Sequence, residues 1–165
     1  MFSSSTTASK LRERETSMKK FTLLVSSIFF LNFAYAEKVE YGAMVALKSF
    51  QCFQYANYAK NQSEENRQRL FTYGLSRSRE FLEHAKKNPD KAKAMFDKAP
   101  WIFGALSSGP TNDFIVGRWF EWSTNDAYEK IVKNIDQEKY KHDEEFQALA
   151  ARKLFFDSSC DTLGR

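Results

Sequence analysis

The chain has little of the two residues that break secondary structure, with 6 Gly and 3 Pro in 165. That scarcity excludes collagen-like, linker-like and turn-rich all-β chains. Catalytic signatures are missing as well. There is no Walker loop and no Gly-x-Gly-x-x-Gly, and Gly74-Leu75-Ser76-Arg77-Ser78 lacks the last Gly of a nucleophile elbow. The two histidines, His84 and His142, fit no metal-ligand spacing, so neither a metal nor a cofactor is expected. A surface of one charge sign is also lacking. The formal charge is +4, yet Lys10, Arg12, Arg14, Lys19 and Lys20 against Glu13 and Glu15 place three of those charges in the first 36 residues. Beyond them, Arg67, Arg69, Arg77 and Arg79 are interleaved with Glu64, Glu65, Glu80 and Glu83. This reads as a solvated mixed-charge helix face, and no nucleic-acid partner is expected.

What the chain does have is aromatic mass, 16 Phe, 7 Tyr and 3 Trp, enough rings for a dense core in one domain. It also has a leader pattern. Met18-Lys19-Lys20 supplies a positive start, Phe21 to Phe33 an apolar run, and Ala34-Tyr35-Ala36 the small-x-small site that signal peptidase cleaves. The run is shorter than the ~20 residues that span a bilayer, so cleavage before Glu37 is expected, with no stable membrane insertion afterwards. Residues 1–17 resemble no part of a leader and read as a gene-model extension ahead of a true start at Met18. Residues 1–36 are then extension plus signal peptide, and residues 37–165 form a single helical domain in the periplasm or outside the cell. In such an oxidising compartment the two cysteines, Cys52 and Cys160, are expected to form a disulfide. It closes a loop of about 108 residues, for which chain entropy alone gives an upper figure of roughly 4.7 kcal/mol.

The spacing of apolar residues predicts helices almost throughout, an all-α compact bundle of about five or six helices with one disulfide. Residues 39–59 are apolar on nearly every face, as for a helix covered on several sides. Ser63 caps a helix running to about Lys87, whose inward stripe includes Leu70, Gly74, Ser78 and Phe81. Gly74 and Ser78 are small enough for a neighbouring helix to approach. Asn88-Pro89-Asp90 starts a short helix ending near Lys98. Trp101 to Leu106 reads as a buried helical turn or a short core helix, and Ser107-Ser108-Gly109-Pro110 as a break with Pro110 in the next first turn. Ser123 and Asp126 suggest a capping box dividing the following residues into two helices. Gln137 to Asp143 reads as a loop or frayed helix. A last helix with Phe146, Leu149/Ala150 and Leu154 as its apolar positions leads to Cys160.

The polar constellation worth weighing is Asp113, Arg118 and Glu121 beside Trp119 and Trp122. At helical spacing Arg118 can pair with Glu121 and stack on Trp122. These residues read either as a polar site for a ligand or partner, or as an ion pair that pins the helix. Glycosidase chemistry is disfavoured, because eight residues of helix separate Asp113 and Glu121 by about 12 Å.

The segment Gly109-Pro110-Thr111-Asn112-Asp113-Phe114-Ile115-Val116-Gly117-Arg118-Trp119-Phe120-Glu121 carries a resemblance. With Phe50-Gln51-Cys52, Arg69-Leu70-Phe71-Thr72-Tyr73-Gly74 and Cys160, it resembles a family of small secreted proteins of Gram-negative bacteria. That family shows a Gly-Pro-x-x-Asp-Phe-x-x-Gly-Arg-x-x-Glu signature and a cysteine near the C-terminus. The resemblance implies export, helices and a disulfide, and no chemistry. More loosely, size, export and disulfide are similar to those of periplasmic immunity proteins of type VI secretion systems, an analogy of architecture. The expected function is therefore non-catalytic binding of a protein partner. One concrete version is immunity against a cell-wall-degrading toxin, through an exposed loop at Ser107–Thr111 or Gln137–Asp143. An envelope enzyme and a lipid or small-molecule carrier are the alternatives. If translation starts at Met18, removing that codon abolishes production; undiminished export from Met1 refutes the assignment.

Overall fold

The computed structural model describes Val39 and residues 41–165; the extension and signal peptide expected in residues 1–36 lie outside the described residues. Six α-helices follow in order: α1 Gly42–Ala59, α2 Glu64–Lys87, α3 Pro89–Asp97, α4 Trp101–Ala105, α5 Asn112–Lys133 and α6 Glu144–Asp157. Single 3₁₀ turns at Glu138–Tyr140 and Cys160–Thr162 flank the last helix, and the described residues contain no strand. The expected all-α bundle is present, and so is its disulfide, which joins Cys52 to Cys160.

Helix α1 sits between α2, α5 and α6. Its buried positions are mostly small: Gly42, Ala43, Ala46, Ser49, Ala56 and Ala59, with Phe50 and Tyr55 as the large ones. Small side chains let neighbouring backbones come close, and the rings then fill the remaining space. The closest approach is at Gly74 of α2, where a Cβ atom would lie 2.5 Å from the ring of the fully buried Phe50. Phe50 and Phe53 of α1, Phe71 of α2 and Phe120 of α5 join three helices in one knot of rings. Phe120 meets Phe50 edge-on at 5.2 Å and Phe71 at 5.4 Å. The buried hydroxyl of Ser49 donates to the Leu70 carbonyl at 2.8 Å, so a polar group in the core is satisfied across the same contact.

At its far end α1 is closed by α6. Arg152 Nε donates to the Ala59 carbonyl at 2.9 Å, satisfying one of the orphan carbonyls of the α1 C-terminus. The disulfide lies close by, with both cysteines fully buried and their Cα atoms 5.5 Å apart. Between α1 and α5, Gln51 Nε2 donates to Asp126 at 2.6 Å, and Lys130 pairs with the same carboxylate at 2.7 Å. Burial, and secondarily the Asp126 charge, push the Tyr55 hydroxyl up to about 12.

The structure corrects the sequence reading in several places. Residues 112–133 form one helix. Ser123 is buried at its middle, and its hydroxyl donates to the Trp119 carbonyl at 2.6 Å, so it caps nothing. A serine can make this bond inside a helix as readily as it can cap one, and the spacing to Asp126 is the same in both cases. Pro110 precedes the helix rather than entering its first turn, and Thr111 caps it by accepting from the Phe114 N–H at 3.1 Å. On α6, Phe146 and Leu149 face outward. The helix buries Gln147, Ala148, Ala150, Ala151 and Phe155 instead, because small residues fit its close packing on α1. Trp101, which opens the expected core helix, is 79% exposed, and only Phe103 of α4 is fully buried. Gln137 to Asp143 contains a single 3₁₀ turn.

Replacing Gly74 by Ala raises helix propensity by about 1 kcal/mol in isolation. Here the added methyl meets the Phe50 ring, so Gly74→Ala is expected to destabilise the fold by about 1–3 kcal/mol. Urea unfolding of the oxidised protein measures this, and a gain in stability would show that the helices do not close on that ring.

Candidate functional site

The segment of residues 109–121 begins in the exposed turn after α4 and continues into α5. Its sequence explains its course. Gly109-Pro110 stops the chain from continuing α4, Thr111 caps α5, and Asp113 adds a negative charge in the first turn, where the helix dipole favours it. A Cβ at Gly109 would run into the ring of Phe114, so a side chain there displaces that half-exposed ring.

Asp113, Arg118 and Glu121 are not brought together. Asp113 reaches across to α2 and accepts from Arg79 Nε at 2.7 Å, in a pair that is about half exposed. Arg118 turns back toward the turn it follows. Its Nη1 donates to the Ser108 carbonyl at 2.9 Å and the Leu106 carbonyl at 3.2 Å. Its guanidinium sits over Phe114 at 5.9 Å rather than over Trp122. Glu121 is exposed; with Arg118, Leu106, Trp122 and Asn125 it borders a small surface hollow of about 180 Å³. The expected Arg118–Glu121 pair is replaced by bonds to carbonyls. A turn with unsatisfied acceptors lies within reach, and a guanidinium carries several donors in a fixed fork.

The result is an exposed turn tied at two points. Arg118 fixes its entry, and the Arg79–Asp113 pair fixes its exit against α2. Behind it, Trp119 anchors the whole segment: its ring stacks on Phe103 at 4.3 Å and its indole N–H donates to the Phe103 carbonyl at 3.1 Å. Along the front runs an open polar groove of about 630 Å³ lined by Arg79, Glu83, Lys86 and residues 109–113. The sequence did not single out Arg79, Glu83 and Lys86 as site residues. The steps of four and three that put them on one face of α2 were its only signal, and nothing in sequence links that face to residue 113.

Cys52 and Cys160 are both consumed by the disulfide. Among the described residues no group of three His, Cys, Asp or Glu side chains could hold a metal ion. No helix of the described residues is long and apolar enough to cross a membrane.

Arg118→Ala is expected to cost about 1–2 kcal/mol, since a charged donor leaves two carbonyls. Arg79→Ala or Asp113→Ala should cost less than about 1 kcal/mol, as exposed pairs do. Chemical denaturation of the three variants decides the order, and an Arg118→Ala protein as stable as the parent would remove its role as the tie. Comparison with known proteins gives no matching family model, no matching curated protein and no matching solved structure.

Proposed function

We propose that the chain is an exported, disulfide-stapled helical protein of the periplasm or exterior that works by binding a protein partner, and that the turn at residues 107–111 with its polar groove is the binding surface. The partner this reading favours is a cell-wall-degrading toxin, against which the chain acts as an immunity protein. The observation that carries the reading is the double tie of the turn. Arg118 and Asp113 hold an exposed segment in one shape while leaving its outer face to solvent. Fixing a surface in advance lowers the ordering cost of association, which is what tight recognition needs. Mixed charges from Arg79, Glu83, Lys86 and Asp113 along the groove supply directionality for a polar protein surface.

Two further observations support binding over catalysis. Asp113 is engaged by Arg79, and its separation from Glu121 on α5 exceeds what paired carboxylate chemistry uses. A carrier would use an enclosed apolar chamber, whereas the aromatic stripes here are packed ring against ring, as at Phe50, Phe71 and Phe120.

The reading is tested with the product of a neighbouring gene that degrades peptidoglycan. The oxidised protein should inhibit that hydrolysis at stoichiometric concentration. Ser108→Arg, a change on the exposed turn, should abolish inhibition with an unchanged melting temperature. Undiminished hydrolysis in the presence of excess protein overturns the immunity reading, and full inhibition by Ser108→Arg overturns the assignment of the surface.

A further inference from the structure

We propose that the outer face of α6 is the interface of a two-fold symmetric dimer of this chain, an inference independent of the binding surface proposed above. Helix α6 leaves three large apolar side chains in water: Phe146 at 40% exposure, Leu149 at 63% and Phe156 at 66%. Their spacing of three and seven puts them on a single face, with Lys153 at the intervening position of the stripe. Isolated exposed apolar residues are ordinary on a protein surface, but three large ones grouped on one helix face, interrupted by Lys153 alone, call for a cover.

Two features of this face specify the cover as a second copy. The first is shape. The stripe is a ridge between two grooves, one of about 590 Å³ toward Ile135 and Tyr140, the other of about 620 Å³ toward Lys60 and Glu144. A ridge flanked by grooves fits another of the same form, because ridges of one helix seat in the grooves of its neighbour. The groove wall is itself built: Tyr140 stacks on Phe146 at 4.2 Å with the rings nearly parallel.

The second feature is the order of charge along the helix. Acidic Glu144 and Glu145 open α6, and basic Arg152 and Lys153 follow later. Glu145 and Lys153 each lie four residues from Leu149, about 6 Å along the axis in opposite directions. A two-fold axis at Leu149 runs the two helices antiparallel. It sets Leu149 against its own copy and places Glu145 of each chain opposite Lys153 of the other, so both attractions occur twice. A parallel arrangement would set like charges side by side. An unrelated partner would give no reason for the pattern to be symmetric about one leucine. Among the described residues Lys153 pairs with the exposed Asp157 at 2.8 Å, a contact of the kind worth little in water, and the carboxylate of Glu145 takes part in no ion pair, so a second copy can engage both.

Sedimentation or light scattering of the oxidised protein at micromolar concentration tests this directly. The parent is expected to be a dimer, and Leu149→Asp a monomer of unchanged helicity. Glu145→Lys and Lys153→Glu should each weaken dimerisation by about tenfold, since each creates two like-charge contacts. A mixture of these two single variants should form a heterodimer as tight as the parent, because both cross-contacts are then of opposite sign. The double variant Glu145→Lys, Lys153→Glu should likewise recover the parent affinity. A monomeric parent overturns the proposal. A dimer indifferent to Leu149→Asp, or single variants that associate no better mixed than apart, would equally place any interface elsewhere.

Discussion

Helix α1 has almost no polar face to offer water, and covering it determines where the rest of the chain goes. Three helices pack on it, and each contact uses the same device: small residues bring the backbones close, and a ring fills the gap. Phe50 against Gly74 is the tightest instance. The aromatic abundance that marks the composition is thereby accounted for. Phe53, Phe71 and Phe120 cluster around the same point, and offset and edge-on ring pairs each add modestly to the area they remove from water. The disulfide adds a covalent tie near the middle of α1. It joins α1 to the turn after α6 across 108 residues of sequence, so the helix on which three others pack is also the one to which that turn is bonded.

Elements defined by local chemistry were readable in the sequence. The Ser63 cap, Pro89 at the start of α3, the stripe of α2 and the pairing of the only two cysteines all depend on neighbours in sequence or on simple counting. What was not readable depended on partners far away. The outward direction of Phe146 and Leu149 is decided by the alanines on the opposite side of α6 and by the tight fit they allow against α1. Helical periodicity locates an apolar face, but it does not say which of two apolar faces the core will take. Ser123 is a second case, a residue whose hydroxyl has two local uses with one spacing.

The candidate site shows the same division. Its residues were legible as a set: Asp113, Arg118 and the glycine and proline before them do act on one turn. Their bonding was not. Helical spacing suggested Arg118 with Glu121, whereas the carbonyls of Leu106 and Ser108 take the guanidinium, and Arg79, thirty-four positions before Asp113, supplies the other tie. Residues 109–121 thus build a tied turn, and do not bring Asp113, Arg118 and Glu121 together.

The placement of Cys52 has a kinetic side. A polypeptide emerges with its N-terminal end first, so α1 appears before any of the helices that enclose it, and the bonding partner of Cys52 follows 108 residues later. Until then the central helix of the domain is without its long-range cover, and non-local contacts of this kind form late. The nascent domain therefore passes through a stage in which its future centre is still adhesive, and correct oxidation must wait until all six helices have been delivered.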